Sequence, residues 1–292
     1  MSVLETINLT EFEASFSQEI KKLAIQALEA GKVLYFPELS FRLNDTEKSF
    51  LSPDKVDPKS KNISYDIRKD SLKGSSVQGA EEDALKAMMK RFATNAKNLV
   101  TELFPYYQTN LTQARTSFRP VEVLGRVSSY RKDDTRLHVD AFPSAPVKGR
   151  RILRVFSNVN PEGKPRVWRV GEPFSNVVKQ FVPQIHSPVP GISTLLKFLG
   201  ITKDYRTLYD HYMLKMHDMM KGDEHYQKEV TQEEIKFPPG CSWIVYSDQV
   251  SHAAMSGQHL FEQTFYLPPF AMQNPETTPL HILERQLQRK LV

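Results

Sequence analysis

One cysteine, Cys241, is all the thiol chemistry in 292 residues. A lone cysteine excludes an internal disulfide and a cysteine-based zinc cluster, and it favours a reducing compartment, the cytoplasm. Long apolar runs are missing too. The longest, around Gly191 to Ile201, is interrupted by Thr194 and Lys197 and is too short to span a bilayer. The first residues, MSVLETINLTEFEASF, are acidic where a secretory leader would carry a basic segment and then an apolar one, so no signal peptide is expected. Charge of one sign is scarce: 39 Lys and Arg stand against 34 Asp and Glu, a net charge of +5. The basic residues form no block and no aromatic-interleaved stretch, which argues against a nucleic-acid partner. The small excess suits an anionic substrate or an anionic membrane surface. Internal repeats and low-complexity segments are absent.

What is present is a chain with 40% hydrophobic and 25% charged residues, able to bury a substantial core as a soluble globular protein. Thr10-x-x-Glu13 has the form of a capping box and opens an apolar pattern (Phe12, Phe16, Ile20, Leu23, Ile25, Leu28) that predicts a helix ending at Gly31. A strand, Val33 to Phe36, follows. Residues 41 to 79 are polar and turn-rich and read as loops, long enough to serve as a lid, and a helix is predicted over about Glu81 to Leu103. Beyond Pro120 the texture changes to short strands: VEVLGRVSSYR, LHVDAF, RRILRVFSNVN and PRVWRV. Residues 173 to 226 read as a helical insertion, after which EEIKF, SWIVYS and HLFEQTFYLP return to strand texture. The tail HILERQLQRKLV is a basic amphipathic helix, expected to pack on the body or on a partner subunit.

TRLHVDAFPS contains the sole His-x-Asp of the chain. On a strand, His138 and Asp140 point to one face about 7 Å apart, as two metal ligands or as an ordinary polar pair beside a turn. A second histidine would complete a 2-His-1-carboxylate triad with open positions for a co-substrate and dioxygen. His211, His217 and His225 fall in the helical insertion and read as surface or packing residues; His186 sits in a Pro-rich loop, and His281 opens the tail helix. His252 lies just before the last long strand, where a β barrel returns a distant residue beside an early strand. His259 is the fallback.

The order strand, His-x-Asp, strand, long interval, His, strand resembles the double-stranded β-helix of the Fe(II)/2-oxoglutarate dioxygenases. VEVLGRVSSYRKDDTRLHVD resembles the run that delivers this motif in prolyl hydroxylases, with Tyr130 where that group keeps a co-substrate-binding tyrosine. RRILRVFSNVNPEGKPRVW is similar to their next strand pair. More closely, RLHVDAFPSAPVKGRRILRVFSNVNPEGKPRVWRVGEPF, together with SDQVSHAAMSGQHLFEQTFYLP, resembles the Kdo hydroxylases, which add a 3-hydroxyl to the outer Kdo sugar (3-deoxy-D-manno-octulosonic acid) of lipopolysaccharide. The resemblance implies an α+β fold with a jelly-roll, cupin-like double-stranded β-helix core. It implies one dioxygenase domain over 1–292: helical support and loops at 1–119, the β core at 120–270 with its insertion at about 173–226, and the tail helix at 271–292. It further implies Fe(II) on His138, Asp140 and His252, 2-oxoglutarate and O2 as co-substrates, succinate and CO2 as products, and a Kdo-containing lipid A precursor at the membrane surface. Such an enzyme would be cytoplasmic, with a peripheral place on the inner membrane allowed and oligomeric state, a homo-oligomer included, left open.

Many enzymes of that superfamily bind the far carboxylate of 2-oxoglutarate with an Arg or Lys about ten residues after the distal histidine. Here Glu262, Gln263 and Thr264 stand there. Arg154, sharing a strand face with Ile152, Phe156 and Asn158, is the first choice for that cation, since a guanidinium forks onto a carboxylate. Arg151 is second, and Arg126, in line with Ser128 and Tyr130, third. Cations are also expected at the mouth for an acidic sugar: Arg166 and Arg169, Trp168 for ring stacking, and Ser144 with Lys148, with Arg119 and Lys73 behind them. Three other readings use the same residues. They are a 2-oxoglutarate hydroxylase of another sugar, lipid or protein, a zinc or manganese cupin-like hydrolase or isomerase, and a metal-free β barrel binding an acidic glycan.

Overall fold

The computed structural model describes every residue except Met1, Ala14, Arg126 and Val127. The third-choice cation, Arg126, therefore lies outside the described residues. The strands are β1 (Leu4–Thr6), β2 (Val33–Phe36), β3 (Ile63–Asp66), β4 (Ser71–Lys73), β5 (Thr112–Arg119), β6 (Arg151–Asn158), β7 (Arg166–Val170), β8 (Glu233–Phe237), β9 (Ser242–Tyr246), β10 (His252–Ser256) and β11 (Leu260–Leu267). The helices are α1 (Gln18–Glu29), α2 (Asp45–Lys48), α3 (Ala80–Leu103), α4 (Phe174–Phe181), α5 (Ile192–Phe198), α6 (Leu208–Gly222), α7 (Glu224–Glu229) and α8 (Pro279–Leu287). The result is a mixed α/β molecule built on a large sheet.

Eight strands form that sheet in the order β1-β2-β9-β6-β11-β5-β3-β4, and three form a second sheet, β10-β7-β8. Strand pleating assigns the faces. From β6, Leu153 and Val155 pack with α1 and α3 residues such as Leu28, Phe92 and Val100, joined by Phe261 and Phe265 of β11. The alternate residue Phe156 faces the small sheet, where Trp243 stacks on Phe237 with ring centres 4.0 Å apart and Trp168 meets both edge-on. Arg154 and Glu262 share the face of Phe156 and Leu260, in the space between the two sheets. A third cluster joins α4, α6 and α8 to Leu137 and Val139. The tail helix accordingly buries Leu280 and Leu283 in the body.

Several expectations need correction. Helix α1 starts at Gln18, capped by Ser17, whose side chain accepts from the Ile20 amide. No helix begins at Thr10, because Glu13 accepts from Asn98 while Ile7, Leu9, Phe12 and Phe16 go directly into the core. The 41–79 region is not all loop; it holds α2, β3 and β4. VEVLGRVSSYR forms no strand in its described residues. The Glu122 carboxylate accepts from the Val123 and Leu124 amides that a ladder would use, and Gly125 takes φ +81°. LHVDAF pairs as a single antiparallel bridge, His138 with His252. No described helix is long and apolar enough to cross a membrane.

Candidate active site

Between the sheets lies a cavity of about 660 Å³ lined by His138, Asp140, His252, Arg119, Arg154 and Glu262, among others. The bridge just named sets its floor: the His138 amide donates to the His252 carbonyl at 3.0 Å, and the His252 amide returns the bond at 2.9 Å. The Asp140 amide donates to Ser247 at 2.8 Å. One potential ligand atom from each of His138, Asp140 and His252 falls within 4.8 Å of the others, the one such group of three or more His, Cys, Asp or Glu among the described residues. His259, the fallback, is buried outside the cavity lining, with φ +59°.

Each histidine is held the same way. Nδ1 of His138 lies 2.8 Å from the Arg136 carbonyl, and Nδ1 of His252 lies 2.8 Å from the Val250 carbonyl. A carbonyl accepts only, so each Nδ1 carries the proton and each Nε2 keeps a free lone pair. Nε2 of His138 lies 3.8 Å from Asp140 Oδ1. Burial holds both imidazoles below their ordinary pKa, His138 far below it with neighbouring His252 and Lys221 adding to the effect. Burial pushes the Asp140 carboxyl up, but the Arg154 guanidinium, the two neighbouring imidazoles and a hydrogen bond from Ser247 together outweigh it and keep the group well below the usual carboxylate range. Two neutral imidazoles and one carboxylate converge, the donor set of a mononuclear metal centre with positions left open.

Beyond the triad stands a cationic wall. Arg154 Nη1 lies 2.5 Å from Glu262 Oε1, and Arg119 Nη2 donates to Glu262 Oε2 at 2.9 Å. Arg154 Nη2 lies 2.9 Å from Asp140 Oδ2, an ion pair without hydrogen-bond alignment, since that oxygen has no hydrogen-bond partner. Arg166 holds the Gly257 carbonyl at 2.8 Å, and burial beside Arg119 pulls its pKa down to about 10. Three buried donors of this lining, Arg154 Nε, Arg166 Nε and Trp168 Nε1, have no acceptor. Buried donors are ordinarily satisfied, so a wall that leaves three open is shaped for a ligand rich in acceptors.

The remaining candidates are scattered. Arg151 is fully buried on the other side of β6, donating to Asp248 at 2.8 Å and Gln249 at 2.6 Å over the Tyr246 ring; it belongs to the core, not the cavity. Asn158 ties the Lys164 and Phe237 carbonyls, Tyr130 is exposed in a 3-10 turn, and Ser128 is half-buried; none of the three lines the cavity. Arg166 and Trp168 line it as buried residues, not at a mouth, and Trp168 stacks on His252 with centres 5.0 Å apart. Arg169 turns away to the Thr135 carbonyl and Met255, Lys148 pairs with Asp204 on the surface, and Lys73 sits on the outermost strand of the large sheet. Ser144 is exposed beside the rim residue Pro143.

Several residues of the cavity lining were not legible as such in the sequence. His217 and Lys221, four apart on α6, share a helix face that turns toward His138, and the His217 ring meets the His138 ring edge-on at 5.3 Å. The i, i+4 spacing with Asp218 between them was the available signal. Exposed Lys61, Arg131 and Lys132 complete the rim.

A facial set of this kind, between two facing sheets and beside a basic wall, fits a metal-dependent enzyme acting on an anionic ligand. The chain belongs to the 3-deoxy-D-manno-oct-2-ulosonic acid (Kdo) hydroxylase family, whose model matches residues 11–290. It is similar to the crystal structure of the Kdo hydroxylase KdoO, a non-heme Fe(II) alpha-ketoglutarate-dependent dioxygenase, in complex with alpha-ketoglutarate and Fe(III): TM-score 0.96, 51% identity, 99% of this chain and 97% of that chain covered. The cobalt(II) complex of KdoO gives TM-score 0.98 at 51% identity, covering 100% and 98%, and its apo structure gives 0.97 at 52%, covering 99% and 97%. No curated protein matches the chain.

Proposed function

We propose that the chain is an Fe(II)/2-oxoglutarate-dependent dioxygenase that hydroxylates carbon 3 of the outer Kdo sugar of a Kdo-bearing lipid A, releasing succinate and CO2. The observation that carries this reading is the convergence of His138, Asp140 and His252 within 4.8 Å in a family of Kdo hydroxylases. We read the architecture as one domain with a double-stranded β-helix core, because two sheets face each other across the cavity and the His-x-Asp segment pairs with β10. The residues suit the metal: both Nε2 lone pairs are free and the Asp140 carboxylate stays ionised.

Iron(II) held there would supply the oxidising chemistry that uses dioxygen and 2-oxoglutarate. The protein supplies position. The Arg136 and Val250 carbonyls fix the rings of His138 and His252, and the ring of Trp168 packs flat on His252. Arg154, with Arg119 and Arg166 beside it, receives the far carboxylate of 2-oxoglutarate, and the open donors Arg154 Nε, Arg166 Nε and Trp168 Nε1 supply hydrogen bonds. Glu262 neutralises part of this charge and keeps the guanidinium groups apart from one another. Phe156, Trp168 and Leu260 keep that end apolar, so charge pairs there act in a low dielectric. At the rim Lys61, Arg131 and Lys132, with Lys221 deeper, suit the sugar carboxylate. A sugar carried on lipid A places the reaction at a membrane surface, within a cytoplasmic enzyme.

Anaerobic titration of the Fe(II)-loaded protein with 2-oxoglutarate tests the reading. A weak visible charge-transfer band that requires both components, and that His138→Ala loses, is expected; a wild-type protein without the band refutes it.

A further inference from the structure

The helical insertion carries a surface that the catalytic reading does not use. Between residues 189 and 205 lie more than half of the exposed large apolar side chains of the described residues, among them Val189, Ile192, Leu195, Phe198, Leu199 and Ile201. Phe198 is 86% exposed and Val189 73%. Ile192, Leu195, Leu196 and Leu199 recur at helical i, i+3, i+4 and i+7 spacing through α5 and its C-cap, a stripe that ordinarily faces a core. Here no residue of α5 is buried. A contiguous apolar patch of this kind marks an interaction site.

The patch is anchored. Ser193 donates to the Arg206 carbonyl at 2.8 Å, the Ile201 amide to Leu196 at 3.0 Å, and the Lys203 amide to Ser144 at 2.9 Å. The Arg206 guanidinium holds the Pro143 carbonyl. Pro143 and its neighbour Phe142 line the catalytic cavity, so the patch adjoins the cavity's rim. Its charge has one sign. From Ser187 to Arg206 the sole acid is Asp204, which Lys148 and Lys197 both neutralise, leaving Lys203 and Arg206 in excess.

We propose that residues 189–206 form an interfacial docking surface for an anionic phospholipid bilayer. The apolar stripe of α5 enters the headgroup boundary while Lys203 and Arg206, the cations in excess, meet lipid phosphates. The inference deepens the functional reading, on which its purpose rests: a surface seated on the bilayer beside the cavity rim presents the cavity to a sugar carried on a lipid anchor.

Co-sedimentation of the full chain with vesicles tests the surface without any substrate. Wild type is expected to sediment with phosphatidylethanolamine/phosphatidylglycerol vesicles, less with pure phosphatidylcholine, and less as salt screens the cations. Leu195→Glu/Phe198→Glu changes two exposed side chains, so its thermal melt should match wild type while its partitioning drops about tenfold or more. With vesicle-embedded Kdo-lipid A, KM should rise at unchanged kcat; on a soluble, lipid-free Kdo saccharide the variant should equal wild type. A variant that sediments like wild type overturns the proposal. So does a wild type that ignores vesicles but forms a dimer that the variant disperses, which would assign the patch to a second copy of the chain. Loss of vesicle binding in the variant, together with no hydroxylation of any Kdo glycolipid by wild type, upholds the surface and refutes the functional reading alone.

Discussion

Replacing Arg154 by Met keeps most of the side chain's bulk and removes its charge. In the wild type its guanidinium lies 2.5 Å from Glu262 and 2.9 Å from Asp140, and its buried Nε has no hydrogen-bond acceptor. A hydrogen bond to a charged group contributes about 1.5–3 kcal/mol, and about 1.4 kcal/mol is a factor of ten in affinity. Losing one such contact should therefore weaken 2-oxoglutarate binding roughly ten- to a hundredfold. Calorimetric titration of 2-oxoglutarate into the Co(II)-loaded protein reads this without turnover, and the KM for 2-oxoglutarate should rise by a similar factor. Co(II) affinity is measured alongside, because Arg154 also touches a proposed metal ligand. Glu262 keeps Arg119 at 2.9 Å in the variant, so gross unfolding is not expected. An unchanged 2-oxoglutarate affinity refutes the assignment and moves the role to Arg119 or Arg166.

Arg151→Met removes the partner of Asp248 in a fully buried pair and should cost about 3–5 kcal/mol of stability by chemical denaturation, with Arg151→Met/Asp248→Leu recovering much of it. Burial already raises the Asp248 carboxyl against the opposing pull of Arg151, so the folded state binds the proton more tightly than the unfolded chain. That contribution is fully present below the unfolded carboxyl pKa of about 4 and is lost as pH rises; the single variant should lose stability more steeply over the same rise. Gly257→Ala would place a Cβ 3.0 Å from the Arg166 backbone at φ +112°, which should lower stability by about 1–3 kcal/mol and raise the KM for 2-oxoglutarate through Arg166. His138→Ala should abolish tight Fe(II) or Co(II) binding by calorimetry while the fold persists by circular dichroism; undiminished binding refutes the triad.

Much of the site could be read from residue types and spacing. His138 and Asp140 are two apart, and His252 precedes the last long strand; these local facts survive folding, and the residues do converge. The alternation of β6 separated Arg154 from Arg151 for the same reason. What could not be read depended on partners remote in sequence. The amides of Val123 and Leu124 bond the Glu122 side chain, so a β-rich string forms no strand. Phe12 and Phe16 have helical spacing, but core contacts and the Ser17 cap decide where α1 begins. Nor does composition reveal that the stripe of α5 faces outward while an equally apolar stripe of α4 (Phe174, Val177, Val178, Phe181) is buried. Trp168, expected at the mouth for ring stacking, serves as both cavity wall and core, two roles that periodicity cannot tell apart.

The most direct test supplies Fe(II), ascorbate and 2-oxoglutarate to the protein with a Kdo-bearing lipid A precursor under labelled dioxygen, followed by mass spectrometry of the glycolipid and assay of succinate. The account predicts one labelled oxygen on the outer Kdo, at carbon 3 by fragmentation, with succinate formed in step and both signals absent in Asp140→Ala. A glycolipid of unchanged mass, or an Asp140→Ala protein as active as wild type, contradicts it.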